Sequence, residues 1–154
     1  MNVLGLDTKQ IEELTFQLND LLANFQTYYQ NLRGLHWNIK GKNFFELHAK
    51  FEELYTDSQE KVDLIAERIL TLQGVPLHTF SDYIKISEVP VAKDVTNDEE
   101  AVLIIVQSLS ILLKIERQIL NLSDEVQDEG TNSMVSDFIS EQEKTIWMLN
   151  SWLG

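Results

Sequence analysis

Residues 43–76 read NFFELHAKFEELYTDSQEKVDLIAERILTLQGVP, and this stretch decides the fold. Phe44, Leu47, Phe51, Leu54, Tyr55, Val62, Ile65 and Ile69 recur at steps of three and four, the period of a helix with one buried face. The expected helix begins at Asn43, whose side chain can cap it while Glu46 reaches back. It runs to about Gln73, where Gly74 and Pro76 end it in the usual order.

The same period continues on both sides. Upstream, Ile11, Leu14, Leu18, Leu21, Leu22, Phe25, Tyr28, Tyr29 and Leu32 predict a helix from about Asp7 to Leu35. Asp7 and Gln10 form a capping box, and Gly34 and Gly41 mark the turn. Downstream, residues 75–95 hold both prolines of the chain and are long enough to cross a bundle end to end, with a short helix at Ser81 to Ser87. Thr96 with Glu99 opens a third long helix along Val102, Val106, Leu109, Leu113, Ile119 and Leu122. A polar break at Asp128, Glu129 and Gly130 precedes a fourth, carrying Met134, Val135, Phe138, Ile139, Ile146, Trp147, Leu149 and Leu153. Two short loops and one long crossover between the second and third long helices describe an all-α, ferritin-like four-helix bundle, not a simple up-and-down one. There is no internal repeat, heptad seam or low-complexity segment, and residues 1–154 are expected to form a single domain.

Composition bounds the function. The chain has 154 residues, no cysteine and a formal net charge of −13 from 25 acidic and 12 basic side chains. Disulfides, zinc–thiolate sites and cysteine nucleophiles are excluded. The acidity argues against electrostatic binding to DNA or to an anionic membrane and suits a protein that attracts cations, although acidic surfaces also simply keep proteins dispersed. The stretch MNVLGLDTKQ lacks the basic run and apolar core of a signal peptide, and no segment approaches the ~20 apolar residues of a membrane span. A soluble, cytoplasmic protein is expected.

Five residues stand at ligand spacing: His36, His48, Glu52, Asp63 and Glu67. His48 and Glu52 are four apart, as are Asp63 and Glu67, so each pair stands on one helix face where two side chains can reach one cation. From Glu52 to Asp63 the helix rises ~16 Å, whereas paired ions sit only about 4 Å apart. If the five residues form one site, two copies of the chain must supply it. The usual intra-bundle di-iron site needs a Glu-x-x-His on each of two helices. Neither His36, His48 nor His78 follows a glutamate by three, so that arrangement is missing. Each residue also has a plain reading: a histidine beside a tryptophan packs, and acids on a helix face are solvated or pair with Lys61 or Arg68. Spacing alone leaves both readings open.

The stretch Leu35-His36-Trp37-Asn38-Ile39-Lys40-Gly41-Lys42-Asn43-Phe44-Phe45-Glu46-Leu47-His48 resembles the signature of the Dps family, the miniferritins. Phe51-Glu52-Glu53-Leu54-Tyr55, Asp63-Leu64-Ile65-Ala66-Glu67-Arg68, Gly74-Val75-Pro76 and Ile146-Trp147-Met148 extend the likeness over nearly the whole chain. The resemblance implies a hollow shell of twelve subunits that oxidises Fe(II), usually with hydrogen peroxide in preference to oxygen, and stores ferric mineral. It implies two-iron sites at the two-fold interfaces, open to other divalent metals, with His36, His48 and Glu52 from one subunit and Asp63 and Glu67 from its partner. The family more often has Asp at the position of Glu52, so the arm is longer here. Trp37 is similar to the residue proposed to quench radicals beside the site.

The resemblance also places an acidic pore segment at Asp124, Asp128 and Glu129, with Ser133 at a further position where the family has an acid. His78 has no matched role. The family's other known activity is DNA compaction, commonly through a Lys/Arg-rich tail. Before Arg33 the only basic side chain is Lys9, and residues 149–154 have none. Direct DNA binding is therefore not expected, since each neutralised phosphate needs a cation. A four-helix adaptor would not require the ligand constellation at all.

Overall fold

The computed structural model describes all 154 residues as five helices: α1 (Thr8–Asn38), α2 (Phe44–Thr71), α3 (Phe80–Ile86), α4 (Asp98–Glu125) and α5 (Glu129–Leu153). The four long helices are the expected bundle. α1 packs on α2 and on α4, α4 packs on α5, and the short α3 lies against α1. One continuous apolar core joins them, with Leu14, Leu18, Leu21, Phe51, Ile65, Ile69, Leu112 and Val135 wholly inside. No helix is long and apolar enough to cross a membrane.

Helix ends differ from the sequence reading in instructive ways. Asp7 caps α1, accepting from the amides of Lys9 and Gln10, but the Gln10 side chain makes no return bond and the expected capping box is only half formed. Asn43 does not cap α2 with its side chain. Its Nδ2 instead donates to Asp98 Oδ2 at 2.7 Å, tying the α1–α2 link to the start of α4. The N-cap of α4 is Asn97, one residue after the expected Thr96, with its side chain accepting from the Glu100 amide.

α2 ends in a Schellman motif: the Gly74 amide donates to Ile69 and the Gln73 amide to Leu70. The left-handed position is Gln73, at φ 70°, and not Gly74. Gly74 is needed for space instead, because a Cβ there would sit 3.0 Å from Thr15 of α1. α4 closes the same way, with Gln127 at φ 60° and the Asp128 amide donating to Ser123. Asp128 then caps α5 by accepting from the Thr131 amide, so one residue ends α4 and starts α5.

The crossover is fastened by three asparagines of α1. Asn19 exchanges hydrogen bonds with the backbone of Val75 and Leu77, and Asn31 with that of Pro90 and Ala92. Asn24, fully buried, accepts from the amides of Glu88 (2.8 Å) and Val89 (3.0 Å). These side chains satisfy a strap that has few backbone partners of its own.

Candidate metal centre

His36 stands in the last turn of α1 and is buried; His48 lies early in α2 and is half-buried. Their rings stack with centroids 3.7 Å apart and planes 10° from parallel. His36 Nδ1 lies 2.6 Å from the carbonyl oxygen of His48, and His48 Nδ1 lies 2.7 Å from that of His36. A carbonyl can only accept, so both Nδ1 atoms carry their protons. The reciprocal pair therefore sets the Nδ1–H tautomer of each neutral ring, in which the Nε2 lone pair is the one left for coordination. Neither Nε2 makes a hydrogen bond within the chain. Metal-binding histidines are typically held by this kind of outer N–H bond. Phe44 stacks on His48 at 4.8 Å, and Tyr55 meets His36 edge-on at 5.3 Å.

Glu52 lies one turn beyond His48, exposed, with Oε1 accepting from the Tyr55 hydroxyl at 3.4 Å. Partial burial, and then the Glu52 charge and hydrogen bond, push the Tyr55 phenol upward. Asp63 and Glu67 are exposed and make no ion pair within the chain, whose five ion pairs lie elsewhere. Lys61, a candidate partner for them in sequence, turns inward to Asp57 and Glu141. Arg68 reaches across to Asp128 and Thr131. At 3.6 residues per turn, His48, Glu52, Asp63 and Glu67 fall within ~100° of arc around α2. The arc lies away from the buried side marked by Leu47, Leu54 and Ile65. Within one chain no three histidine or acidic side chains converge as a metal would need.

The interior is polar in one place, where the long helices contribute Tyr28 (α1), Lys61 (α2), Glu116 (α4) and Gln142 (α5), all buried. Gln142 Nε2 donates to Glu116 Oε2 at 2.8 Å, while Oε1 of each residue has no partner. Burial pushes the Glu116 carboxyl up to about 8, against the opposing pull of Gln142, Lys61 and Arg117. Burial likewise drives the Tyr28 phenol far upward, helped by Asp57 and Glu116. A neutral acid beside a buried ammonium is a poor host for a divalent cation. The bundle interior is closed to the chemistry that the exposed face of α2 leaves open.

Residues 16–154 match the family model of the ferritin-like domain. The chain is 40% identical over 152 residues to the DNA protection during starvation protein of Porphyromonas gingivalis, covering 99% of this chain and 96% of that one. The chain belongs to the Dps family. The crystal structure of Dps from Vibrio cholerae O1, described as a member of a superfamily of ferritin-like diiron-carboxylate proteins, matches with a TM-score of 0.98. It is 52% identical, over 100% of this chain and 97% of that one. A Listeria innocua Dps variant with two histidines changed to glycine matches at a TM-score of 0.89 and 29% identity, over 92% of this chain and 94% of that one.

Other expected positions of this Dps chain fall out differently. Asp124 and Glu129 flank the α4–α5 link with exposed carboxylates, and Ser133 is also exposed. Asp128 is a correction: it is 3% exposed and its two oxygens serve Arg68, the Thr131 amide and the Thr131 hydroxyl. Its charge is spent inside the fold and cannot line an opening. Gly130 belongs to the same junction, since a Cβ there would lie 2.7 Å from the Arg68 guanidinium. Trp37 is exposed, with the Arg33 guanidinium 5.0 Å from its ring and 5.3 Å from that of Tyr29. His78 is exposed, and its only hydrogen bond is to the carbonyl of Pro76 two residues away. The sequence reading missed Tyr55 beside the ligands and the Lys61–Glu116–Gln142 cluster. Tyr55 had a signal in its i, i+3 spacing from Glu52; the cluster had none short of the fold.

Proposed function

We propose that this chain is a ferroxidase and iron store, built as a shell of twelve copies and oxidising Fe(II) at sites shared between two subunits. The observation that carries the reading is the tautomer-locked pair His36–His48 one turn from Glu52, with Asp63 and Glu67 further along the same face of α2 and none of the three carboxylates in an ion pair. Two α2 helices packed antiparallel about a two-fold axis at the level of Ser58 bring His48 and Glu52 of one copy opposite Asp63 and Glu67 of the other. The shared face is the ~100° arc on which all four lie. Neutral imidazoles and carboxylates together suit iron, and also zinc or cobalt.

Fe(II) is the substrate. His36 and His48 supply Nε2 lone pairs, while Glu52, Asp63 and Glu67 supply negative charge that favours the ferric product over the ferrous ion. Two Fe(II) give two electrons to one hydrogen peroxide, which takes up two protons and leaves as two waters, so no hydroxyl radical is released. Oxygen is the alternative oxidant. Trp37, exposed beside His36, is placed to intercept oxidising equivalents that escape. The net charge of −13 draws cations to the shell, with Asp124 and Glu129 proposed at its entry.

Assembly has support of its own. Phe80, Ile84 and Val91, at 81%, 67% and 70% exposure, line an apolar groove of about 300 Å³ with Tyr29 and Arg33. Apolar surface of this kind calls for a protein partner, and a second copy is the simplest one. The shell would weigh about 214 kDa, twelve times 17.8 kDa. The DNA-compacting reading finds no favouring observation here.

Subunit mixing tests the shared site. H36A/H48A and D63A/E67A should each lose fast Fe(II) oxidation. Unfolded together in equal amounts and reassembled, half the dimers are mixed and half of their sites are intact, so about a quarter of all sites should recover. No recovery, with the assembly verified by sedimentation, would sink the shared site. Two Fe(II) consumed per peroxide supports the oxidant assignment, and a ratio equal to that of buffer alone would refute it.

A further inference from the structure

Tyr55 is the side chain that touches ligands from both helices of one chain. Its hydroxyl donates to Glu52 Oε1 at 3.4 Å, one turn back on α2. Its ring meets His36 of α1 edge-on at 5.3 Å and Tyr29 of α1 at 6.1 Å, so two aromatic contacts fix the ring from the other helix. Glu52 is exposed, and the Tyr55 hydroxyl is its only hydrogen-bond partner in the chain.

A glutamate has one more rotatable bond than an aspartate and can place its carboxylate in many positions. A donor held rigidly beside it selects one of them. We infer that Tyr55 is the positioning residue for Glu52, engaging Oε1 so that Oε2 is the oxygen presented to a cation beside His36 and His48. The long acidic arm is thereby given the definition that a shorter one has by its length. A first ligand shell loosely held is a weak one, and an outer hydrogen bond tightens it. This inference rests on the metal-site reading above and deepens it.

The consequence is a coupling between Tyr55 and Glu52 that a packing role would not produce. Y55F keeps the ring and both aromatic contacts and removes only the hydroxyl. Zn(II), which is redox-inert, is the probe, titrated calorimetrically into the assembled protein, with the H36A/H48A protein defining binding elsewhere. The affinity of the histidine-dependent site should fall about five- to tenfold in Y55F, the loss expected for a long hydrogen bond to a charged acceptor. In an E52A background, the same Y55F change should cost nothing, because the group it positions is gone.

Equal affinity of Y55F and wild type would overturn the inference, and so would the same loss in the E52A background. If Zn(II) binding to the wild type is unchanged by H36A/H48A, the metal-site reading itself falls and takes this inference with it. If binding needs the histidines but ignores the hydroxyl, only the Tyr55 assignment falls. Matching circular dichroism and sedimentation of Y55F and wild type guard against misfolding as the cause of a loss.

Discussion

The buried Glu116–Gln142 pair makes the most demanding prediction about the fold. Only one hydrogen bond joins the two side chains as heavy atoms stand, from Gln142 Nε2 to Glu116 Oε2, and the two Oε1 atoms are left over. Two acceptors cannot satisfy each other unless one carries a proton. A proton on Glu116 Oε1 would supply the missing donor, and the expected arrangement is a two-bond ring in which it is given to Gln142 Oε1, so that the buried carboxyl carries no unpaired charge.

The pH dependence follows with a definite sign. The Glu116 carboxyl is raised from 4.5 to about 8 by burial. Below 4.5 both folded and unfolded chains hold the proton and the group contributes no slope. Between those values the folded chain keeps a proton that the unfolded chain has lost, so stability falls as pH rises, by up to ~1.36 kcal/mol per pH unit. Above about 8 both states are ionised and the slope ends. Over the window the loss reaches ~5 kcal/mol per chain as an upper bound.

Glu116→Gln removes the proton from the problem. An amide at this position donates to Gln142 Oε1 and accepts from Gln142 Nε2, keeping the ring at every pH. The variant should match wild type near pH 5 and exceed it by ~2–4 kcal/mol at pH 8. Urea unfolding at matched chain concentration measures the difference, in which assembly and all other ionisations largely cancel. The infrared band of a protonated carboxyl, present in wild type at pH 7 and absent in E116Q, provides a check independent of unfolding. A difference that stays flat from pH 5 to 9, or a variant less stable at pH 8, would refute the protonated ring.

Asn24→Ala removes the acceptor for the Glu88 and Val89 amides, leaving donors without partners at a buried position, and should cost ~2–4 kcal/mol; hydrogen exchange should accelerate first at those two amides. Duplex DNA should not be retarded in a gel at physiological salt without divalent metal, given 25 acidic against 12 basic side chains, and retardation there would overturn the exclusion of DNA.

What the sequence made legible is what depends on period and spacing. The steps of three and four placed all four long helices, and residues 75–95 announced the crossover because prolines and length left no alternative. The spacing of Asp63 from Glu67 and of His48 from Glu52 picked out one face of α2. What stayed hidden depends on partners distant in sequence. Asn43 looks like a cap locally, yet Asp98, far along the chain, takes its side chain. Gln73 adopts the left-handed conformation where Gly74 was expected to end the helix, and Gln127 does the same at the end of α4, because each amide completes a Schellman motif with the preceding turn. Asp128 reads as one acid among several and is instead neutralised by Arg68, which approaches from another helix.

The same long-range contacts explain why the candidate site lies outside the bundle. A ferritin-like bundle ordinarily holds its metals between its helices. Here that interior holds the Lys61 ammonium, bound by Asp57 and Glu141, beside a carboxyl raised to about 8. A cation entering there would meet a like charge and a neutral acid at its first contacts, in a medium that screens neither well. Lys61 also removes itself as a competitor for Asp63, two residues away on the opposite side of α2. One lysine rotamer thus closes the inner position and leaves the outer carboxylates without a cation. Asp63 and Glu67 lie ~22 Å and ~28 Å along the helix from His48, a separation no rotamer can close within one chain. Activity on this reading is a property of the assembled dimer, and dilution below its dissociation constant should abolish fast oxidation while leaving each bundle folded.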